Sequence, residues 1–227
     1  MAPQIISHRG KVDLSSSENS LAGIQEAIDL GVNMIEFDVR NTANDVLVCY
    51  HDESIKGKPI SHIEYEEMKA LDKNVCKLEE VIELCKNKVG VNVEIKEEGY
   101  EQKIIDLLVP NFSYADILIT SFKSKVIRKI KLKDSKLTTG FLIGESLSYN
   151  TFYRVIKESF TMREFLYSKA DFVCPFYKIY EIGLMHKFKK LKIPIQLWTV
   201  NDLSLLKDLI NRDFHSVVTD VSGKLLQ

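Results

Sequence analysis

Glu36 and Asp38 stand two residues apart in Met34-Ile35-Glu36-Phe37-Asp38-Val39. Alternate side chains of a β-strand share a face, so both carboxyls point the same way. Their neighbours are apolar, as in a parallel strand covered on both faces. Two carboxylates on one buried face repel each other and lose hydration. A bound cation relieves both costs; salt bridges to Arg or Lys are the alternative. Glu94 in Val91-Asn92-Val93-Glu94-Ile95-Lys96 repeats the pattern, with Lys96 on the same side. Three hard oxygen donors, without cysteine or paired histidine, suit Mg²⁺ or Ca²⁺ better than zinc. The expected cofactor is therefore one divalent cation.

His8 and Arg9 close the first apolar run and lead to Gly10. A histidine at the C-terminal end of a barrel strand is where such folds keep acid–base groups, although a lone histidine there is more often structural. Arg9 has the planar fork that grips phosphate. Lys96 offers a point charge to an oxyanion, or an ion pair to Glu94. His51 is followed by Asp52, which either orients it or caps the next loop. Glu18-Asn19-Ser20 precedes the first helix, where N-capping alone explains Ser20. Trp198, in Leu197-Trp198-Thr199-Val200-Asn201, and Phe122, after Ser121, are core aromatics by default, but their strand-end positions also suit a substrate wall. His62, His186 and His215 lack acidic clusters and read as surface or capping residues.

The elements that must position these groups alternate along the chain. Strands are predicted at Ile5–His8, Met34–Val39, Val46–His51, Gly90–Ile95, Asp116–Thr120, Leu137–Ile143, Asp171–Cys174, Ile193–Val200 and Ser216–Thr219. Leu78, Val81, Ile82 and Cys85 fall at helical spacing. Ser61-His62-Ile63-Glu64 has the form of a capping box, and Asp202 is expected to cap another helix. Strands alternating with helices predict a parallel sheet covered by helices. Nine strands is one too many for an eight-stranded barrel. The link from Arg40 to Asp45 is too short for a parallel crossover, which takes about a dozen residues. Val46–His51 should therefore return antiparallel to Met34–Val39, placing His51 opposite position 36 or 37. The expected fold is α/β, a TIM (β/α)8 barrel with a β-hairpin excursion after the second strand, one domain over residues 1–227.

The chain has 227 residues and a formal charge of −1, which shows no bias toward nucleic acid or membrane. A TIM barrel typically takes about 250 residues, so this one is short. Cys49, Cys76, Cys85 and Cys174 form no CxxC pair and are expected as buried free thiols in a reducing, cytoplasmic compartment. Met1-Ala2-Pro3-Gln4-Ile5-Ile6-Ser7-His8 has no charged stretch leading into an apolar core, which predicts no signal peptide. Nor is any apolar run near 18 residues, so no membrane span is expected. Lys123–Lys136 holds seven basic residues and one Asp, with an apolar stripe of Val126, Ile127 and Ile130. It reads as the solvated face of a barrel helix, leaving surface contact with anionic lipid as the weaker alternative. The oligomeric state is not readable.

In order, His8-Arg9-Gly10, Glu18-Asn19-Ser20, Glu36-Phe37-Asp38-Val39, His51-Asp52, Glu94-Ile95-Lys96, Ser121-Phe122, Trp198-Thr199-Val200-Asn201 and Thr219-Asp220 resemble the motifs of the glycerophosphodiester phosphodiesterase family. The resemblance implies a TIM barrel that uses a divalent cation to hydrolyse glycerophosphodiesters to an alcohol and glycerol 3-phosphate. It implies that His8 and His51 are the acid–base pair, that Glu36, Asp38 and Glu94 ligate metal, and that Arg9 and Lys96 hold phosphate. The chain departs from the family after His51-Asp52. An Arg-Thr-Thr stretch and longer insertion are replaced by Glu53-Ser54-Ile55-Lys56-Gly57-Lys58-Pro59, a reduced insertion leading into a helix. That insertion helps to build the family's substrate pocket.

The expected chemistry is two-step. One histidine takes a proton from a hydroxyl beside the phosphate, that oxygen attacks phosphorus, and the other histidine protonates the leaving alcohol. Water then opens the cyclic phosphate. Two rivals stay open: a lysophospholipase D-like enzyme acting on lysophospholipids, and a non-catalytic phosphodiester-binding barrel.

Overall fold

A computed structural model describes residues 3–144 and 149–226. Its strands are β1 (Gln4–Ser7), β2 (Met34–Asn41), β3 (Leu47–Cys49), β4 (Ser54–Ile55), β5 (Lys58–Pro59), β6 (Cys76–Lys77), β7 (Gly90–Ile95), β8 (Ile117–Ser121), β9 (Thr138–Ile143), β10 (Phe172–Pro175), β11 (Gln196–Leu197) and β12 (Ser216–Thr219). Eight of them pair in parallel in the order β10-β9-β8-β7-β2-β1-β12-β11. Parallel bridges Val173–Ile195 and Phe176–Trp198 draw the two ends together into a nearly closed barrel.

Alternation along the strands divides the core in two. Ile35, Phe37, Val39, Val91, Val93 and Ile95 face outward under helices such as Leu78–Cys85 and Glu101–Leu108. Ile6, Met34, Leu118, Leu142, Phe172, Cys174 and Val218 fill the interior. Burying a side chain such as Phe172 contributes about 1.5–3 kcal/mol. Gly140 makes room for it: a Cβ there would lie 2.3 Å from the Phe172 ring and 2.7 Å from Cys174 Sγ. The interior turns polar toward the C-terminal ends of β2 and β7, where Glu36, Asp38 and Glu94 continue the inward rows.

The hairpin forms as expected. β3 runs antiparallel to β2 with Val39 opposite Cys49, a register that extends to His51 opposite Phe37. The Tyr50 N–H donates to the Asp38 carbonyl at 3.1 Å. The strand is shorter than predicted because the Thr42 hydroxyl takes the Val46 N–H at 3.0 Å. β3 also pairs with β6, an element not predicted.

Other expectations need correction. Ser61 does not open a helix: Ile60–His62 is a 3-10 turn and the helix runs Tyr65–Leu71. Ile60 and Ile63 are both buried beneath β3 with Val48 and Met68, which fixes this tighter turn, and Asn44 Oδ1 accepts the Tyr65 N–H instead. The reduced insertion therefore has a small β4–β5 hairpin and apolar cluster of its own. Ile193–Val200 is a continuous ladder only at Gln196–Leu197, with isolated bridges at Ile195 and Trp198, and Pro194 has no N–H to extend it at its start. His215 is not a surface residue but stacks on Phe172, ring centroids 4.4 Å apart.

Asp202 caps Leu203–Leu209 through the Leu205 N–H, and Ser20 caps Leu21–Asp29 through that of Gly23. All four cysteines are buried and unpaired. In the basic segment, Val126, Ile127 and Ile130 are buried, while Lys129 pairs with Glu98 and Glu101 and Lys131 with Asp171. These local ion pairs favour the solvated-face reading. Among the described residues no helix is long and apolar enough to cross a membrane.

Candidate active site

Glu36, Asp38 and Glu94 each bring an oxygen within 4.8 Å of the others, and all three are buried. Register explains this: β2 and β7 lie side by side with Asp38 opposite Glu94, and Glu36 is one inward position below Asp38. Burial and repulsion from Asp38 and Glu94 push the Glu36 carboxyl well above its usual range, against Arg9. Burial and Asp38 raise Glu94 to about 7, although Lys96 opposes them. Asp38 behaves oppositely: burial would raise it, but Lys96 and Arg9 outweigh burial and hold it below the usual range.

Salt bridges settle part of this charge. Lys96 Nζ lies 2.7 Å from Asp38 Oδ1 and 2.6 Å from Glu94 Oε1. Arg9 Nε lies 3.1 Å from Asp38 Oδ2 but off the hydrogen-bond line, so that contact is Coulombic. The Arg9 backbone N–H donates to Glu36 Oε2 at 2.9 Å. Arg9 holds φ 54°, in the left-handed region that costs a non-glycine residue about 1–3 kcal/mol. Its guanidinium grips both oxygens of Glu18 at 3.0 and 3.1 Å. Asn19, also left-handed at φ 49°, donates its amide to Asp38 Oδ2 at 2.9 Å and accepts the Asp38 N–H at 3.0 Å. With all three carboxylates ionised, Arg9 and Lys96 would leave one negative charge, and Glu18 would add another. A hard dication fits both this balance and the oxygen donors.

The histidines flank the trio. His8 Nδ1 lies 2.7 Å from Asp220 Oδ1, and its Nε2 is 3.9 Å from Glu36 Oε2. An Nδ1–H donated to Asp220 would leave Nε2 open to accept a proton. Burial would raise the Asp220 carboxyl, but His8 and Asn201 outweigh it and hold it at about 2. His51 repeats the arrangement, with Nδ1 2.8 Å from Asp52 Oδ1. Burial and the neighbouring Lys96 charge lower the His51 imidazole, against Asp38. Its carbonyl accepts from Arg40 Nε at 2.9 Å and Nη2 at 2.7 Å, and Arg40 is tied to Glu97.

Asp220, Asn201 and Arg40 had no role assigned from sequence. Asp220 lies in the Thr219-Asp220 pair that ends the last strand, a position that was available as a signal. Arg40 carried none, because its partner is a backbone carbonyl. Trp198 and Phe122 meet edge to face at 5.4 Å, Phe176 stands 5.7 Å from Trp198, and the Trp198 indole N–H donates to the Cys174 carbonyl at 2.8 Å. Glu18 and Asn19 share with His51 a cavity of about 220 Å³ under the hairpin.

The family model for the glycerophosphoryl diester phosphodiesterase family matches residues 8–224. A glycerophosphodiester phosphodiesterase of Caldanaerobacter subterraneus is 26% identical over 242 residues, covering 97% of this chain and 95% of the relative. The crystal structure of a glycerophosphodiester phosphodiesterase from Thermotoga maritima aligns with TM-score 0.76 at 24% identity, covering 100% of this chain and 98% of that one. A phosphodiesterase of Oleispira antarctica, solved with its product sn-glycerol-3-phosphate, aligns with TM-score 0.78 at 20% identity, covering 99% and 95%. At these identities the structures establish the shared fold, and the match across nearly the whole chain establishes the kinship: the chain belongs to the glycerophosphoryl diester phosphodiesterase family, a family of hydrolases.

Proposed function

We propose that the chain, acting as a single barrel domain, hydrolyses glycerophosphodiesters to an alcohol and glycerol 3-phosphate at this site. The observation that carries the reading is the pair of histidines, each with Nδ1 on an aspartate, on either side of a buried acidic trio. Glu36, Asp38 and Glu94 would hold one divalent cation, Mg²⁺ or Ca²⁺, which supplies charge stabilisation at phosphorus.

Arg9 and Lys96 orient the phosphate oxygens. One histidine accepts the proton of the glycerol hydroxyl next to the phosphate through Nε2. The other donates its proton to the leaving alcohol. The cyclic phosphate is then opened by water with the two roles exchanged. Asp220 and Asp52 keep each imidazole in the tautomer that this relay needs. The cavity beside His51, Glu18 and Asn19 is of a size to take the glycerol. Four buried thiols support a reducing, cytoplasmic setting.

Phosphorus NMR of a glycerophosphodiester tests this, with added cation, with chelator and with His51→Ala. Turnover should stop in chelator and fall by roughly 10²–10⁴-fold in the variant. Undiminished turnover in chelator rules out the cation, and undiminished turnover in His51→Ala rules out its acid–base role.

A further inference from the structure

A second and larger cavity, about 480 Å³, opens beside the C-terminal ends of β8 and β9. Phe122 belongs to both places: it lines this cavity and stands edge to face with Trp198. Leu142 is likewise shared with the barrel interior. Glu94 pairs across the sheet with Thr120, and Phe122 is two residues further along the same strand line. One strand spacing sideways and two residues upward put Phe122 roughly 8 Å from the Glu94 backbone. The cavity therefore opens on the same rim of the barrel as Glu94.

Its lining has a definite charge. Among the described residues, Lys123, Lys125, Arg154, Lys157 and Arg163 stand around it, all exposed, against the three acids Glu98, Glu158 and Glu164. Each acid is engaged. Glu98 pairs with Lys129 at 3.0 Å. Glu158 accepts the N–H groups of Glu164 and Phe165 at 3.1 and 2.8 Å, capping the helix Arg163–Ser168. Glu164 accepts the Ser124 hydroxyl at 2.6 Å. Among the described residues none of the five cations makes a close ion pair, although Lys125 and Lys123 act on Glu98 from farther away. The inner wall is apolar, with Phe141, Ile143 and Val155. Such a volume is in the range of small-ligand sites, and cations of one sign over an apolar wall concentrate anions.

We infer that this cavity receives the leaving alcohol and selects alcohols that carry a phosphate of their own. The smaller cavity beside His51 then takes the glycerol, whose hydroxyl must reach a histidine, and the diester lies between the two with its phosphate at the acidic trio. The inference rests on the proposed hydrolysis.

The test compares two diesters that differ in one group: sn-glycero-3-phosphoglycerol and its analogue bearing a terminal phosphate. In cation-supplemented buffer the phosphorylated diester should show the higher kcat/KM, and raising the ionic strength should erase the difference. The double variant Lys123→Glu, Lys157→Glu changes exposed side chains. It should lower kcat/KM for the phosphorylated diester by about tenfold through the loss of two surface attractions, and leave the neutral diester within twofold. Equal kcat/KM for both diesters, or an equal loss on both in the variant, overturns the inference. If neither diester is cleaved, the hydrolysis proposal fails and the cavity is still read by binding. NMR titration with 2-hydroxyethyl phosphate should then show weaker binding to the double variant, and unchanged binding overturns the inference.

Discussion

Asp220→Asn isolates the geometry on which the proposed chemistry depends. Asp220 is 14% exposed in its side chain, accepts from His8 at 2.7 Å, and is itself fixed by the Asn201 amide at 2.5 Å. The substitution keeps size and shape but replaces the acceptor that assigns the proton to Nδ1. Hydrogen bonds to charged groups contribute about 1.5–3 kcal/mol, which corresponds to roughly 10–150-fold in rate if the loss falls on the transition state. The expected result is a fall in kcat of about 10²-fold with little change in KM. Asp52 provides the contrast. It makes the same contact to His51 but is 71% exposed, and exposed pairs contribute about 0.2–1 kcal/mol. Asp52→Asn should therefore cost less than about fivefold. Both are read by release of glycerol 3-phosphate at saturating substrate, with thermal melts confirming folding. If Asp220→Asn keeps native kcat, or Asp52→Asn is the more damaging of the two, the reasoning from tautomer and burial is wrong.

The acidic trio predicts a pH dependence of stability. Burial and repulsion from Asp38 raise Glu94 from 4.5 to about 7, with Lys96 opposing, so the folded protein binds its proton more tightly than the unfolded chain does. The resulting stability is present below about pH 4.5 and lost as pH rises toward 7. Melts in chelator should fall across that window, and Glu94→Gln should flatten the fall; a flat profile for the native chain would contradict it. Gly140→Ala forces a Cβ to 2.3 Å from the Phe172 ring. Overpacking of this kind costs about 1–3 kcal/mol, measurable by urea denaturation, and an unchanged midpoint would mean that Phe172 does not fill the interior as described.

The acidic trio was legible because alternation in a strand is strict. Glu36, Asp38 and Glu94 interrupt apolar runs with the period of one face, and no folded context is needed to see that. The hairpin was legible because six residues cannot make a parallel crossover, and its register followed from the centre of the turn. Ser61 misled because a capping pattern describes an isolated helix start, whereas burial of Ile60 and Ile63 decided the local geometry. The run Ile193–Val200 forms a continuous ladder over only two residues, because an apolar run says nothing of how many residues find a partner.

Which residue types lie on the inward face of each strand is a matter of period and composition, and is readable along the chain. What those residues touch depends on segments far away in the chain. His8 and Asp220 are 212 positions apart and meet because β1 and β12 are neighbours in the ring. Arg40 reaches the His51 carbonyl because the hairpin folds back over β2. The five cations around the larger cavity come from three separate stretches of chain. Contacts of this kind are set by which strands lie side by side and by where the intervening helices pack, and neither is written in the spacing of any one segment.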